Sequence, residues 1–533
     1  MPEIKHVKQS TREQREENKK FKIAISYPPF PDEKGMPCLG QNRQFQWFKS
    51  PTYIYPMVPS YAATLLQSQG YTVTWDDGIA EELSQDEWLA RIKKFKPNLI
   101  VFETKTPVVK RHWKVIDVVK KEIPGVKVIL CGDHVTALPE ESMQNSKVDV
   151  VITGGDYDFL ALNVANSYNH KEKLQPGIWY RKPSVVSSQL SVGDEKSTNY
   201  KPQTTNYRNT GHFLLNHDLD ELPMIDRDLT KWELYAYKNG NYKVTPGTYT
   251  YAARDCWWGK CAFCSWTTLY PGKDYRKHSA KRMIDEIGQL IEKYHVREIM
   301  DDSGTFPIGP WLKEFCNGMV DRGYNKKVRI DCNMRLKGLG QEEYNLMRKA
   351  GFRFILYGLE SANQKTLDRI NKNLKVPEIE KGVRMAKTAG LDPHITTMMG
   401  YPWESLTDAK RTIALSKKLF DKGYVDTLQA TIVIPYPGTP LFRQCKENGW
   451  LATENWDEYD QRSLIMKSPL SESDVKELTQ RLYKSFITPK YIARRIIGIR
   501  SLDDIKFLFR AAGKLLGHLV DFSPKKTKQS ENC

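Results

Sequence analysis

The chain has 533 residues, 40% of them hydrophobic, with 81 lysines and arginines against 64 aspartates and glutamates, a formal net charge of +17. That length holds roughly two to four domains with large cores, which excludes a small cystine-framed module. No uninterrupted apolar run is long enough to span a bilayer, and residues 1–20 are polar without the apolar stretch of a secretory leader. The expectation is a cytoplasmic protein whose residues 1–20 form a disordered basic arm.

From 21 to 167, β-branched runs alternate with helix-period stretches. Strands are expected at Lys22 to Ser26, Tyr71 to Trp75, Leu99 to Phe102, Val126 to Leu130 and Asp149 to Thr153. Helical patterns such as Pro59 to Gln69 and Lys110 to Glu122 lie between them, so the pattern predicts a doubly wound α/β domain with a parallel sheet. Ligands on such sheets sit beyond the carboxyl ends of the strands. Those ends carry Asp76 and Asp77, Glu103 and Thr104, Gly132-Asp133-His134, and Gly154-Gly155-Asp156. Glycine there lets a flat, bulky ligand approach the backbone.

Residues 168–245 are rich in Ser, Asn, Thr and Pro and read as an irregular connector with little core of its own. Regular alternation resumes over 246–445. Strands are expected at Thr248 to Arg254, Glu298 to Met300, Val328 to Cys332, Phe354 to Gly358, Ile395 to Met399 and Leu428 to Ile434, each followed by a helical pattern. These βα units predict a partial (βα)6 barrel of TIM type, whose reactive face is the carboxyl end of the strands. Residues 446–533 read as a C-terminal helical region with a basic tail, and the stretch from Arg481 onward carries +8 of the net charge.

Directly after the first barrel strand stands Cys256-Trp-Trp-Gly-Lys-Cys261-Ala-Phe-Cys264, three of nine cysteines in nine residues. Three thiolates at this spacing can hold three irons of a 4Fe-4S cluster and leave the fourth iron open. A structural zinc site needs a fourth ligand at knuckle spacing, and none lies near. The remaining cysteines are scattered, which gives no disulfide framework and favours a reducing cytosol.

The triplet with Phe263 before its last cysteine, Gly-Leu-Glu-Ser at 358–361, Pro-Tyr-Pro-Gly-Thr-Pro at 435–440 and Cys-Gly-Asp-His-Val-Thr at 131–136 together resemble a radical SAM enzyme with an N-terminal cobalamin-binding-type domain. The resemblance covers about Phe21 to Trp450. It implies a 4Fe-4S cluster on Cys256, Cys261 and Cys264, with S-adenosylmethionine chelating the open iron. By the same resemblance Asp302, Ser303 and Gly304 lie against the methionine amino group, and Asn333, Arg335 and Glu360 near its carboxylate or ribose. Gly400 and Pro402 border the adenine, while Asp76, Glu103, Thr104, Gly132, Gly154 and Gly155 face cobalamin. Two departures stand out: the spacing is C-x4-C-x2-C rather than C-x3-C-x2-C, and no Asp-x-His-x-x-Gly follows the first strand to ligate cobalt. His134 is read as a loop hydrogen-bonding residue.

The implied reaction is cleavage of S-adenosylmethionine to a 5′-deoxyadenosyl radical, used for cobalamin-dependent methylation of an unactivated carbon. Oxidative cyclisation or rearrangement of a lipid, isoprenoid or tetrapyrrole is the alternative. The partners implied are a small-molecule or lipid-like substrate and a one-electron reductant such as flavodoxin or ferredoxin. The resemblance assigns no catalytic residue. Ile487 to Phe522 reads as a pair of basic amphipathic helices, which pack on the barrel or make peripheral contact with the inner membrane surface. Two rivals of another class are an RNA-binding or RNA-modifying protein and a regulatory iron-sulfur protein. A methylthiolating RNA enzyme needs a second cysteine triplet in the N-terminal domain, where only Cys38 and Cys131 occur.

Overall fold

The computed structural model describes residues 4–39, 45–49, 52–182, 206–271 and 275–521, with the side chains of 514–521 excepted. The N-terminal sheet contains β1 (Lys22–Tyr27), β2 (Thr72–Asp77), β3 (Leu99–Glu103), β4 (Lys127–Cys131) and β5 (Val150–Ile152), all parallel, in the spatial order β2-β1-β3-β4-β5. Its middle strands are near-continuous apolar runs because helices cover both faces; β3, Leu-Ile-Val-Phe-Glu, is buried at every position. Helices such as Gln85–Phe95 begin at a capping box, here Ser84 with Glu87. The strand order reverses between β1 and β3, which makes the crevice beyond their carboxyl ends the natural ligand position.

Two further strands differ from the sequence expectation. β6 (Ile178–Arg181) and β7 (Tyr207–Asn209), both from the supposed connector, extend the sheet antiparallel beyond β5. The connector also owns core: Leu219, Leu222, Ile225, Trp232 and Tyr235 are buried. Apolar residues spaced singly among polar ones hide such a core from periodicity arguments. Residues 183–205 of that segment lie outside the described residues. The expected N-terminal arm differs too. Arg12–Asn18 forms a helix with a Thr11–Gln14 capping box, and buried Asn18 donates to the Gln69 carbonyl at 2.8 Å.

The second sheet holds β8 (Gly247–Thr250), β9 (Glu298–Asp301), β10 (Arg329–Met334), β11 (Phe352–Glu360), β12 (Asp392–Met399) and β13 (Thr427–Ile432). All six are parallel and neighbours follow chain order, with helices between them, giving an open partial barrel in which β8 and β13 are unpaired edges. At the amino end, Arg353 binds Glu298 at 2.7 Å and Asp331 at 2.6 Å, so one buried guanidinium ties β9, β10 and β11 together. The free edge of β13 is covered by the helix Glu472–Ser485, whose Tyr483 hydroxyl accepts from Ala430 N–H and donates to Ala430 C=O, both at 2.9 Å. The helices Pro489–Ile497 and Leu502–Asp521 follow. Lys514, Leu515, Leu516 and Leu519, part of the expected amphipathic pattern, have side chains outside the described set. Among the described residues no helix is long and apolar enough to cross a membrane.

Candidate active site

The first barrel strand stops at Thr250, earlier than expected. The backbone then turns, and Ala253–Arg254 forms a two-residue antiparallel ribbon with Arg276–Lys277 that pinches the base of the cysteine loop. Arg254, two residues before the first cysteine, is buried in contact with the N-terminal domain. Its Nη1 donates to Asp156 Oδ1 at 2.8 Å and Asp158 Oδ1 at 3.0 Å, and its Nη2 pairs with Asp158 Oδ2. Arg276 Nη2 also donates to Asp156, at 2.7 Å, and His217 stacks on Phe159 while bonded to the same carboxylate. Burial alone raises the Asp156 carboxyl, but Arg276, His217 and Arg254 together hold it well below the usual carboxylate range.

Cys256, Cys261 and Cys264 all face one cavity of about 630 Å³ at the carboxyl end of the barrel strands. Cys256 Sγ lies against Thr305 Oγ1, and Arg335 Nη1 is 4.0 Å from Cys261 Sγ. Burial pushes the Cys261 thiol up, while Lys372 and Arg335 act in the opposite direction and favour its thiolate. Among the described residues no group of three or more His, Cys, Asp or Glu side chains is arranged to hold a single ion. Three thiolates that each reach a different iron of one cluster need no such convergence. The donor set, its cavity and its two neighbouring cations therefore fit a cluster.

Around the cysteines the strands supply a polar collar. Arg335, at the end of β10, lies between Trp257 and Trp258 with its guanidinium 5.2 and 5.0 Å from their rings, and donates to the Lys372 carbonyl. Lys372 Nζ binds Glu360 at 2.7 Å, both buried. Burial alone lowers the Lys372 ammonium, but Glu360 and Cys261 beside it hold it above its ordinary value. Glu360 itself has φ of +65°, and Gly358 has no room for a side chain, since a Cβ there would stand 2.1 Å from Glu360 Oε1. Asn333 Nδ2 donates to the carbonyls of Asp301 and Ser303, both at 3.1 Å, while its buried Oδ1 has no partner in the protein and borders the cavity. An unfilled acceptor there suits an ammonium or hydroxyl donor from a bound cofactor.

Of the residues expected around S-adenosylmethionine, Gly304, Asn333, Arg335 and Glu360 line the cavity. Asp302 and Ser303 lie one layer behind: Asp302 N–H bonds the Thr250 carbonyl, and Ser303 Oγ accepts from Ala253 N–H at 2.8 Å, tying the β9 loop to the ribbon. Gly400 and Pro402 are not in the lining. Gly400 turns the chain at φ +92° under Leu464. Sequence reasoning missed Lys372, Thr305, His394 and Thr396. The last two were legible from strand parity, since they alternate with Ile395 and face inward.

The strand-end residues expected around cobalamin are committed to protein contacts. Asp76 pairs with Arg91 at 2.6 Å, Glu103 accepts from Tyr27 at 2.6 Å and Tyr157 at 2.9 Å, and Thr104 bonds His112 at 2.9 Å. The glycines serve close packing rather than an open cradle: a Cβ on Gly132 would meet Thr104 O at 2.2 Å, on Gly154 the Phe213 ring at 2.5 Å, and on Gly155 the Tyr270 ring at 2.0 Å. His134 sits between Thr106 at 3.2 Å and Glu141 at 3.1 Å. Unfilled capacity at this edge belongs to Lys105, just beyond β3. Its buried Nζ makes no hydrogen bond within the protein and stands 3.7 Å from Glu103. A buried ammonium at the switch-point crevice fits the amide and phosphate oxygens of a corrinoid. The loop after β1 brings Cys38 and Gln46 from this edge into the lining of the cysteine cavity.

Residues 252–415 match the Radical SAM superfamily model and residues 48–162 match the B12 binding domain model. The chain is 27% identical over 460 residues to an uncharacterized methyltransferase of Pyrococcus horikoshii, covering 83% of this chain and 90% of the relative. It is 22% identical over 441 residues to the anaerobic magnesium-protoporphyrin IX monomethyl ester cyclase of Cereibacter sphaeroides, covering 82% and 67%. In fold it is similar to the radical S-adenosylmethionine methyltransferase TsrM from Kitasatospora setae with cobalamin and 4Fe-4S cluster bound (TM-score 0.62, 13% identity, 88% and 89% covered). It is likewise similar to the cobalamin-dependent S-adenosylmethionine radical enzyme OxsB (TM-score 0.66, 11% identity, 94% and 72% covered).

Proposed function

We propose that this chain, a radical SAM enzyme with a B12-binding domain, transfers a methyl group to an unactivated carbon, with Cys256, Cys261 and Cys264 as the protein ligands of its 4Fe-4S cluster. When bound, the cluster supplies the electron that opens the sulfonium C–S bond of S-adenosylmethionine, and cobalamin supplies a methyl carrier. The observation that carries this reading is a shared cavity: the three cysteines and Phe48, Thr52 and Ile54, from the segment that matches the B12 binding domain, border the same 630 Å³ space. Two cofactors that must act on one substrate need such a common chamber.

The chain's own residues bind, orient and shield. Arg335 and the Lys372–Glu360 pair would hold the charged and hydroxyl groups of S-adenosylmethionine, and the unpartnered Asn333 Oδ1 would take a donor from it. Trp257 and Trp258 clamp Arg335 so that its guanidinium stays aimed at the cysteines. Buried Trp266, also in the lining, walls the chamber and packs on Tyr270 at 5.1 Å, the ring that fills the space above Gly155. Exclusion of water at this joint protects a carbon radical from quenching. Electrons come from a one-electron carrier of flavodoxin or ferredoxin type.

The likeness to the magnesium-protoporphyrin cyclases over 82% of the chain favours oxidative cyclisation as the second reading. Anaerobically reconstituted enzyme, incubated with reductant and S-adenosylmethionine, is expected to contain about four irons per chain, to bind corrinoid, and to release S-adenosylhomocysteine together with 5′-deoxyadenosine. Cys261→Ala is expected to release neither. Release of 5′-deoxyadenosine alone supports cyclisation, and an inert, fully loaded wild type overturns the enzymatic reading.

A further inference from the structure

The cysteine cavity does not end at the carboxyl face of the barrel. Its lining follows β11 through alternate residues, Phe354, Leu356, Gly358 and Glu360, from the amino end of the strand to the Lys372 pair beside Cys261. Register places His394 of β12 beside Leu356 and Thr396 beside Gly358, so both strands contribute inward positions along one channel. Seven residues at the strand rise give a path of about 20 Å. In a closed TIM barrel, layers of branched side chains fill this space. Here Gly358 stands at one lumen position with the Lys372–Glu360 pair taking its side-chain space, so the path runs along Phe354 and Leu356 and ends at that pair. Beside this path His394 Nδ1 bonds Thr427 at 2.8 Å and Thr396 donates to Glu360 at 3.3 Å, while the buried His394 Nε2 has no partner in the protein.

At the amino end the lining passes onto the last two helices through Ile492, Ile496, Phe507 and Ala511. Ile492 and Ile496 are also 46% and 59% exposed, so the same side chains face both the cavity and the outside, which locates the mouth. On the same two helices Ile497, Leu502 and Phe509 are 69%, 74% and 76% exposed. Of the nearby cations, Arg494 donates to the carbonyls of Phe420 and Asp421, Arg495 pairs with Asp426 at 3.4 Å, and Lys243 pairs with Asp504 at 2.5 Å, while Lys490 and Lys506 on the same helices are exposed. Apart from the paired Arg495, the side chains that the last two helices give to the lining are apolar, so the mouth selects by apolarity.

We infer that the barrel lumen is a binding channel for the long apolar chain of a lipid-type substrate, threaded from the terminal helices toward the cysteines; the inference rests on the radical SAM reading for its purpose, and on lumen geometry for its existence. Burial of methylenes along an apolar channel makes affinity grow with chain length, by about fourfold for each. A headgroup or reacting segment then reaches the Glu360 end, beside the cysteines. Delivery from a bilayer or from monomeric solution shares this chemistry.

The test uses reconstituted holoenzyme, parinaric acid as a long fluorescent chain and dansyl-hexanoate as a short one. Parinaric acid is expected to bind the wild type. Ala511→Trp, which fills the mouth, and Ile496→Glu, which places a charge in it, each weaken that binding about tenfold or more, with the short probe changed less than about twofold. Cleavage of S-adenosylmethionine without substrate is measured in both variants in parallel, so that a general loss of the cofactor site is told apart from a loss confined to the long probe. Two arms present the long probe from neutral phosphatidylcholine vesicles and from vesicles containing phosphatidylglycerol. Equal uptake from both supports apolar selection. Uptake confined to anionic vesicles, no binding of the long probe, or equal binding by wild type and both variants overturns the channel. Loss of cofactor cleavage with probe binding intact counts against the catalytic reading and leaves the channel standing.

Discussion

Arg254 and Asp156 meet at 2.8 Å in a fully buried ion pair that joins the B12-binding half to the base of the cysteine loop. The arginine is two residues from Cys256, and the carboxylate begins the helix Tyr157–His170. A shift of either half against the other is thus felt at Cys256 with only Asp255 between. The geometry makes domain docking and the shape of the cysteine loop one problem rather than two.

Removing Arg254 leaves Asp158 as an uncompensated buried charge, while Asp156 keeps Arg276 and His217. Arg254→Met is expected to destabilise the protein by about 3–5 kcal/mol in anaerobic urea unfolding. Combining it with Asp158→Asn is expected to recover part of that loss. Iron content should fall in the Arg254→Met variant, and unaltered iron content would separate the joint from the cysteine loop.

The Lys372–Glu360 pair beside Cys261 has the same logic at the cofactor. Lys372→Met is expected to weaken equilibrium binding of S-adenosylmethionine to the reconstituted enzyme by about tenfold or more, and to cost about 3 kcal/mol of stability. Gly358→Ala should imitate it, because the added methyl would meet Glu360 Oε1 at 2.1 Å and Lys372 Nζ at 2.4 Å. Unaltered affinity in both variants would remove this pair from the cofactor's surroundings.

How far the sequence carries depends on what each residue's neighbours are. Parallel strands buried on both faces write themselves as β-branched runs, so β1 to β5 and the six barrel strands were legible. β6 and β7 were not, because each is short and pairs across a long excursion. The cysteines announced themselves by spacing. Lys372 did not, since Asn371 and Asn373, at φ +53° and +49°, turn it back toward Glu360 twelve residues away. Only the left-handed tolerance of asparagine on either side hinted at that turn. Sequence alone leaves open what a strand-end glycine is for, since it can admit a ligand or a neighbouring ring, and here Phe213 and Tyr270 lie beside Gly154 and Gly155.

Asp77 offers a pH test in the N-terminal domain. Burial pushes its carboxyl up to about 6, although Tyr235 and the amides of Ile79 and Ala80 donate to it. A folded-state value above the unfolded one means that the folded protein holds the proton more tightly. Its contribution is therefore fully present below about pH 4 and declines as pH rises through 6, by at most about 3 kcal/mol. Asp77→Asn should flatten that part of the profile. Parallel wild-type and variant curves from pH 4.5 to 7.5 would refute the assignment.

Gly155→Ala places a methyl 2.0 Å from the Tyr270 ring at the domain joint. Overpacking of this kind costs about 1–3 kcal/mol. Limited proteolysis should then cut sooner between the halves, and Tyr270→Ala in the same chain should restore resistance.

The Tyr483 hydroxyl occupies both hydrogen-bonding groups of Ala430 on the last barrel strand. A ladder that ends on a side chain is satisfied without recruiting another strand, so this flank offers no template for a second molecule to extend the sheet. The stopper is seated by more than its phenol, since Val475, Leu478 and Leu482 of the same helix are buried with it. Uncapping the strand therefore means exposing an apolar face as well as breaking two bonds, and the seam stays shut for the reason a core does.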